Sequence, residues 1–107
     1  MKTRQIMIGW TTVAKEEDAR RLARELVEER LAACVQISAE MTSIYRWAGA
    51  VEEAREFRLA LKFAASRELE VRRFVEANHP YDLPQWICCT AAAGSEKYLK
   101  WVIENST

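Results

Sequence analysis

The sequence has few of the residues that build disulfide frameworks, flexible linkers or membrane spans. Its 107 residues include three cysteines, three glycines, two prolines and a single histidine. An odd number of cysteines, two of them adjacent, argues against a disulfide framework and favours a reducing compartment. The longest apolar runs fall far short of a transmembrane helix, and residues 1–8 lack the pattern of a secretory signal. The sequence therefore predicts a cytoplasmic protein that has no membrane partner.

The sequence also lacks an excess of charge of either sign. Sixteen lysine and arginine residues balance sixteen aspartate and glutamate residues, so the formal net charge is zero. A nucleic-acid-binding domain normally carries a basic field, and no basic aromatic run typical of RNA-binding modules occurs here. The glycines are too far apart for a phosphate-binding loop, and neither HExxH nor GxSxG is present. Nucleic acid is therefore not an expected partner, and nucleotide and serine-hydrolase sites lack their usual signatures.

Apolar residues are abundant and follow regular spacings along the chain. They make up 50% of the sequence, enough for a single domain of residues 1–107 to form a core without disulfides. Period-two spacing predicts strands, and three-four spacing predicts amphipathic helices. The clearest strand pattern is the alternation of Phe57, Leu59 and Leu61 with charged residues. One face of that strand is therefore expected in the core, and the other faces water or a partner.

The predicted elements alternate in the order β, α, β, β, α, β, α. Thr11 or Thr12 is expected to cap the first helix and Ser66 the second, because a hydroxyl can accept a hydrogen bond from a free backbone N–H. Gly49 can adopt the positive φ that a hairpin turn needs. The predicted segments are a strand at 5–11, a helix at about 15–31, a bent strand formed by 33–37 and 41–47, a turn at 48–49, a strand at 51–63, a helix at 66–78, a strand at 85–92 and a short helix from 94.

This order is typical of an α+β fold, the ferredoxin-like βαββαβ sandwich, here with a long central hairpin and an extra C-terminal helix. Right-handed crossovers place both helices of such a fold on one face of a four-stranded sheet and leave the other face open. The hairpin projects beyond so small a core, and Trp101 and Ile103 make the last helix apolar on more than one side. We therefore expect self-association, with the four tryptophans in the core or at a subunit interface.

The only histidine opens the segment His79-Pro80-Tyr81-Asp82-Leu83-Pro84, between the second helix and the last strand. Each proline fixes its own φ and pushes the preceding residue away from the helical region, so the polar side chains extend from a defined backbone. Histidine titrates near neutral pH and is a common metal ligand. The segment is therefore a candidate functional site, although a plain helix-to-strand connector would have the same composition.

The cysteines offer soft ligands but no complete metal-binding motif. Cys34 and His79 suit copper(I), and the strand of Cys34 can place its sulfur on the open face of the sheet. Cys34 can equally be a small buried hydrophobe, and alternation directs either Cys88 or Cys89 into the core. No CxxC or HxxxH pattern occurs, so a closed zinc site within one chain has no support. A nucleophilic Cys34–His79 pair would need hydrogen-bond reach and a third, orienting group.

Five blocks of sequence, in a fixed order, carry a resemblance to a known family. They are Thr11-Thr12, LVEERLAACVQI at 26–37, SIYRWAGAVEE at 43–53, HPYDLP at 79–84 and GSEKYLKW at 94–101. Together they resemble the CutA family, the divalent-cation tolerance proteins, over nearly the whole chain. The sequence departs from the family pattern at Gln36, Asp82 and Gln85, and again around Cys88 and Cys89. The departure at Gln85 removes a carboxylate that could bind a hard metal or act as a base.

The resemblance implies a ferredoxin-like fold, a tight homotrimer similar in architecture to PII signalling proteins, and a role in tolerance of copper and other divalent ions. It implies that Cys34 and His79 are candidate metal ligands near a cleft between subunits. It also implies that Lys62 and Tyr81 line such clefts. An expected partner is therefore a second copy of the chain.

Three functions are open at this point. The leading hypothesis is a cytoplasmic homotrimer of divalent metal ion tolerance that binds copper or a related ion weakly through Cys34 and His79. The alternative is a PII-like regulatory module that binds a small anionic metabolite through Lys62 and Arg46 and signals to an unknown protein partner, although Lys62 taken alone fits the solvated side of its strand. The third hypothesis is an enzyme that uses Cys34 or His79. The two binding hypotheses are favoured over it, so no residue is assigned a catalytic role.

Overall fold

An antiparallel sheet organises the chain, and a computed structural model describes residues 5–107 of it. Five strands and three helices lie within the described residues, and a short 3-10 turn at Ala65–Arg67 precedes the second helix. The elements are β1 (Ile6–Val13), α1 (Glu16–Glu28), β2 (Cys34–Ile37), β3 (Met41–Trp47), β4 (Ala50–Ala64), α2 (Glu68–Asn78), β5 (Ile87–Thr90) and α3 (Glu96–Glu104).

The strand order is β2-β4-β1-β5, and β3 also pairs with β4. This order and the two helix crossovers confirm the predicted ferredoxin-like α+β sandwich. Residues opposite each other on neighbouring strands share a face, so the register assigns the faces. Leu59, Leu61 and Phe63 of β4 point to the helix side, where they are fully buried together with Val71 and Val75 of α2. The core therefore lies between one face of the sheet and the helices α1 and α2.

The opposite side of the sheet, here called the open face, carries several of the candidate residues. One row crosses four strands, because Cys34 lies opposite Lys62, Lys62 opposite Ile8, and Ile8 opposite Cys89. The helix α3 covers one end of this face, where Val102 packs against Ile6. The open face includes Ile8, Trp10, Thr12, Cys34, Gln36, Arg58, Ala60, Lys62, Ile87 and Cys89.

The strands β2 and β3 form the predicted bent strand along one edge of β4. Ile37 lies opposite Leu59 and Met41 lies opposite Glu56, so residues 38–40 face only residues 57–58. Three residues against two define a β-bulge, which bends the strand. Beyond it the hairpin closes at Ala48 and Gly49, whose φ angles of 49° and 82° fit a type I′ turn. The hairpin contributes to an overall length of 45 Å.

Several predicted boundaries were wrong by a few residues. Thr11 and Thr12 do not cap the first helix, because β1 continues to Val13 and α1 begins after Lys15. That helix ends at Glu28 rather than near 31, since Arg30 has a φ of 58° and the next N–H groups bond to the Leu26 carbonyl.

The second helix and the last strand were also shifted. Ser66 lies in the 3-10 turn, and Arg67 occupies the N-cap position of α2. β5 is an edge strand whose partner is β1, so its pairing is confined to the four residues opposite 7–10. None of the helices formed by residues 5–107 is long and apolar enough to cross a membrane.

Candidate functional site

Both ring nitrogens of His79 are engaged in hydrogen bonds. Nε2 lies 2.9 Å from the carbonyl oxygen of Thr12, and Nδ1 lies 3.1 Å from the backbone nitrogen of Tyr81. A carbonyl only accepts and a backbone N–H only donates, so Nε2 carries the proton and Nδ1 is bare. Burial lowers the pKa of His79 below its ordinary value, in agreement with this neutral state. The imidazole therefore joins the connector after α2 to the end of β1.

Tyr81 continues this set of contacts to β4. Its ring stands edge-on to the His79 ring, with the centroids 4.8 Å apart, and its hydroxyl donates a 2.8 Å hydrogen bond to Oε2 of Glu56. Burial and the bond to Glu56 raise the pKa of Tyr81 well above its ordinary value. The phenol is therefore neutral at physiological pH, and it acts here as a hydrogen-bond donor.

Glu56 is a buried carboxylate that sequence reasoning missed. The residue is only 8% exposed. Burial alone would raise its pKa, but the hydrogen bond from Tyr81 and the nearby hydroxyl groups of Ser43 and Thr12 outweigh burial and lower the pKa below its ordinary value. Its strand alternation indicated a solvated face, as it did for Arg58 and Lys62. The pattern carried no signal that the segment after α2 folds over this part of the strand.

The segment at 79–85, here called the 79–85 loop, is attached to β1 at a second point. The hydroxyl of Thr12 lies 3.4 Å from Oε1 of Gln85, a long hydrogen bond, and Thr12 is only 6% exposed. Thr12 thus contacts the loop through its backbone carbonyl at His79 and through its side chain at Gln85. Gln85 occupies a position where the family resemblance predicts a carboxylate. Its amide oxygen accepts the Thr12 hydrogen bond that helps to attach the 79–85 loop to β1.

Cys34 and Lys62 form a separate group on the open face. They lie directly opposite each other on β2 and β4, and the Cys34 side chain is half-buried. The Lys62 ammonium lies 5.4 Å from the centroid of the Tyr98 ring, within the range of a cation–π contact. Tyr98 in turn stacks on Trp101 at 5.7 Å. This group combines a thiol, a cation and two aromatic rings of α3.

The structure does not bring Cys34 and His79 together within one chain. Cys34 lies opposite Lys62, whereas Thr12, which holds His79, lies opposite Arg58. These positions on β4 are four residues apart, or about 13 Å along the strand. Among residues 5–107, no group of three or more His, Cys, Asp or Glu side chains is placed to hold a metal ion. The residues of a single chain therefore do not fit a closed metal site.

Arg46 lies further away, on the projecting hairpin. It pairs with Val51, five residues from Glu56 along β4, which corresponds to about 16 Å. The alternation of β4 places Val51 and Glu56 on opposite faces. Arg46 is thus separated within one chain from both Tyr81 and Lys62, the other two residues assigned to a ligand cleft.

The adjacent cysteines point to opposite sides of the sheet, as alternation predicted. Cys88 packs against the core, and burial raises the pKa of its thiol. It lines a groove of about 670 Å³ between α2 and β5, beside Glu68 and Trp86. Cys89 is exposed and belongs to the open face. A thiol with a raised pKa is a poor nucleophile, so Cys88 has the character of a structural cysteine.

Comparisons with known proteins agree with this fold and supply a family. The pattern of the family described as CutA1 divalent ion tolerance protein matches residues 7–105. The divalent-cation tolerance protein CutA of Thermus thermophilus is 45% identical over 95 residues, which cover 89% of this chain and 92% of that protein. A solved structure of a divalent cation tolerance protein (Cut A1) from that organism has a TM-score of 0.92 at 42% identity, and covers 95% of this chain and 99% of its own.

A plant relative is similar over a smaller share of its own length. The chloroplastic CutA protein of Arabidopsis thaliana is 39% identical over 106 residues, which cover 99% of this chain. The chain spans 58% of that protein. The similarity therefore extends over nearly the whole of this chain.

Proposed function

The chain belongs to the CutA1 divalent ion tolerance family, and from this premise we propose that it acts in divalent metal ion tolerance as a cytoplasmic homotrimer that binds copper weakly between its subunits. The role is one of binding rather than catalysis. His79 has both nitrogens hydrogen-bonded, Tyr81 is a neutral phenol, and the thiol of Cys88 has a raised pKa. These side chains lack a free general base or an activated nucleophile.

Exposed apolar side chains support self-association. Two groups of them lie on the projecting hairpin and on α3, apart from others such as Leu83 and Ile87. The exposed members of these two groups are Ile44, Tyr45, Trp47 and Val51 on the hairpin and Tyr98 and Trp101 on α3. Ile44 and Val51 each leave about two-thirds of their surface in water, at 66% and 64%. Such groups are typical of surfaces that a neighbouring subunit covers.

The observation that carries the metal site is the separation of the soft ligands. Cys34 lies opposite Lys62, and Thr12, which holds His79, lies opposite Arg58, about 13 Å further along β4, so one chain offers each ligand singly. A thiol and an imidazole suit copper. We propose that Cys34 and His79 become ligands where two subunits meet, and that Lys62, Tyr81 and Arg46 line the cleft between those subunits.

Copper(I) and copper(II) titrations into the wild-type protein test this proposal by calorimetry. We expect Cys34→Ser and His79→Ala each to weaken binding by about tenfold or more, since each removes one of a small number of ligands. Cys88→Ser is the matched control, because its thiol lies on the helix side of the sheet. Identical isotherms for wild type, Cys34→Ser and His79→Ala would reject the ligand assignment.

Analytical ultracentrifugation tests the assembly separately. We expect a particle of three times the 12.4 kDa chain mass. Replacement of Trp47 and Val51 on the hairpin by serine should lower that mass, because it removes apolar surface that the neighbouring copy covers. A wild-type monomer would exclude a site that depends on subunit contact.

A further inference from the structure

The contacts of His79 form one continuous chain of hydrogen bonds between two strands. The Thr12 carbonyl on β1 holds Nε2, the bare Nδ1 holds the Tyr81 N–H, and the Tyr81 hydroxyl holds Glu56 on β4. The donor–acceptor distances are 2.9, 3.1 and 2.8 Å. The bond to Glu56 joins a hydroxyl to an ionised carboxylate, which makes it the strongest of the three by type.

Metal ligation by His79 requires a bare ring nitrogen, and both ways of providing one break the same contact. Ligation through Nδ1 displaces the Tyr81 N–H directly. Ligation through Nε2 moves its proton to Nδ1, and a protonated Nδ1 cannot accept a bond from the Tyr81 N–H. In either case the His79 ring and the Tyr81 N–H must separate. Whatever holds Tyr81 in place therefore opposes metal binding at His79.

Glu56 is the group that holds the far end of Tyr81. Its side chain is buried, it accepts the phenol hydrogen bond, and it lies on a long central strand that fixes its position. We infer that Glu56 is a positioning residue of the proposed metal site: through Tyr81 it keeps His79 in a closed state in which both ring nitrogens are occupied, and so it limits metal affinity. This inference rests on the proposed function, and it adds that Glu56 regulates how readily His79 can bind the metal.

The apparent affinity for metal equals the affinity of the open state multiplied by the fraction of molecules that are open. Loss of a hydrogen bond to a charged group shifts such an equilibrium by about tenfold. We therefore expect Tyr81→Phe to bind copper(II) about tenfold more tightly than wild type. Glu56→Gln should give a smaller increase, of about threefold, because the amide oxygen still accepts the phenol hydrogen bond without the charge.

Copper(II) titrations in the presence of a competing chelator measure these affinities. Tyr45→Phe is the matched control, since it makes the same chemical change at a half-exposed tyrosine of β3. We expect Tyr45→Phe to bind as wild type does. A Tyr81→Phe protein that binds copper(II) as wild type does, or more weakly, would overturn the inference, because a purely structural or ligating role of Tyr81 predicts a loss.

A measurement without metal separates this inference from the proposed function. In the metal-free protein, Tyr81→Phe should speed hydrogen exchange of the residue-81 amide and move the two ring nitrogen shifts of His79 toward a solvent-averaged pair of tautomers. Unchanged exchange and unchanged shifts would reject the control by Glu56 while leaving the ligand assignment intact. Unchanged copper binding in His79→Ala, together with these metal-free changes, would reject the ligand assignment and leave the closed state of the loop intact.

Discussion

The ring of Trp86 occupies the space that a side chain at position 9 would need. A Cβ built on Gly9 would lie 2.4 Å from Cη2 of that ring. The ring is held on its other sides, since Nε1 donates a 3.0 Å hydrogen bond to Glu68 and the Phe63 ring lies 6.0 Å away. Glycine at this position of β1 therefore leaves room for the far end of the indole ring against the strand.

Substitution of Gly9 by alanine should lower the free energy of unfolding by about 1–3 kcal/mol, because the added methyl group forces the indole out of its packing. Urea unfolding measures the loss. Trp86→Phe shortens the ring at the point of contact, so Gly9→Ala should cost less in that background. Equal costs in the two backgrounds would show that the indole does not set the requirement for glycine.

The regular spacings of the sequence were sufficient to predict the fold. The alternation around Leu59 and Leu61 identified β4, and the turn at 48–49 identified the hairpin, since both follow from backbone geometry within a few residues. The combined length of segments 33–37 and 41–47 was likewise sufficient to predict the bent strand. The cap predicted at Thr11 or Thr12 was wrong because a hydroxyl before a helix suits a cap, and only the folded chain shows that β1 continues to Val13 and that the Thr12 hydroxyl contacts Gln85 instead.

The candidate site was less predictable for a physical reason. Period-two spacing assigns a residue to a face of a strand, but it carries no information about which distant segment covers that face. Glu56 and Lys62 have the same parity on β4, and the 79–85 loop covers only Glu56. His79 could be recognised from the sequence, because it is the only histidine and it opens a segment that contains two prolines. Its partners were not, because Thr12 is 67 residues away in sequence.

The side chain of Ser106 accepts a hydrogen bond from the last residue of β4. It is fully buried, its hydroxyl accepts a 2.9 Å bond from the Ala64 N–H, and it donates a 2.6 Å bond to the Val102 carbonyl. Ser106→Ala leaves that N–H buried without its acceptor and should lower the free energy of unfolding by about 1–3 kcal/mol. Ser66→Ala, at an exposed position, should change it by less than about 0.5 kcal/mol. Thermal unfolding of the two variants makes the comparison, and similar losses would contradict this role of the Ser106 hydroxyl.

The hairpin turn contains an alanine in a left-handed conformation. Ala48 has a φ of 49°, which is unfavourable for a residue with a Cβ but is tolerated by asparagine. Ala48→Asn should therefore raise the free energy of unfolding by about 0.5 kcal/mol, since it creates the Asn-Gly pair favoured in type I′ turns. Ala93→Asn, in the exposed connector before α3, is the control and should have little effect. An unchanged or lowered stability of Ala48→Asn would show that strain at this turn is relieved in another way.

Protonation of the single histidine, His79, should lower the stability of the folded protein at a pH above the range in which carboxylates titrate. Burial holds the pKa of His79 below its ordinary value of 6.5, so the unfolded chain takes up a proton before the folded chain does. The resulting stability is present above pH 6.5 and is lost as the pH falls from there through the lowered pKa of the folded state. Protonation also removes the bare Nδ1 that accepts the Tyr81 N–H, which gives the same direction.

Carboxylates with ordinary pKa values titrate mainly below about pH 5, so denaturant midpoints measured between pH 7 and about 5 isolate the histidine. We expect the midpoint to fall across this interval in the wild-type protein. His79→Gln should be less stable at pH 7, because it loses the hydrogen bonds that join the 79–85 loop to β1, and its midpoint should be nearly constant down to about pH 5. If the variant instead showed the wild-type decline, the titrating group would lie elsewhere, and the neutral imidazole would not be what fixes the 79–85 loop to β1.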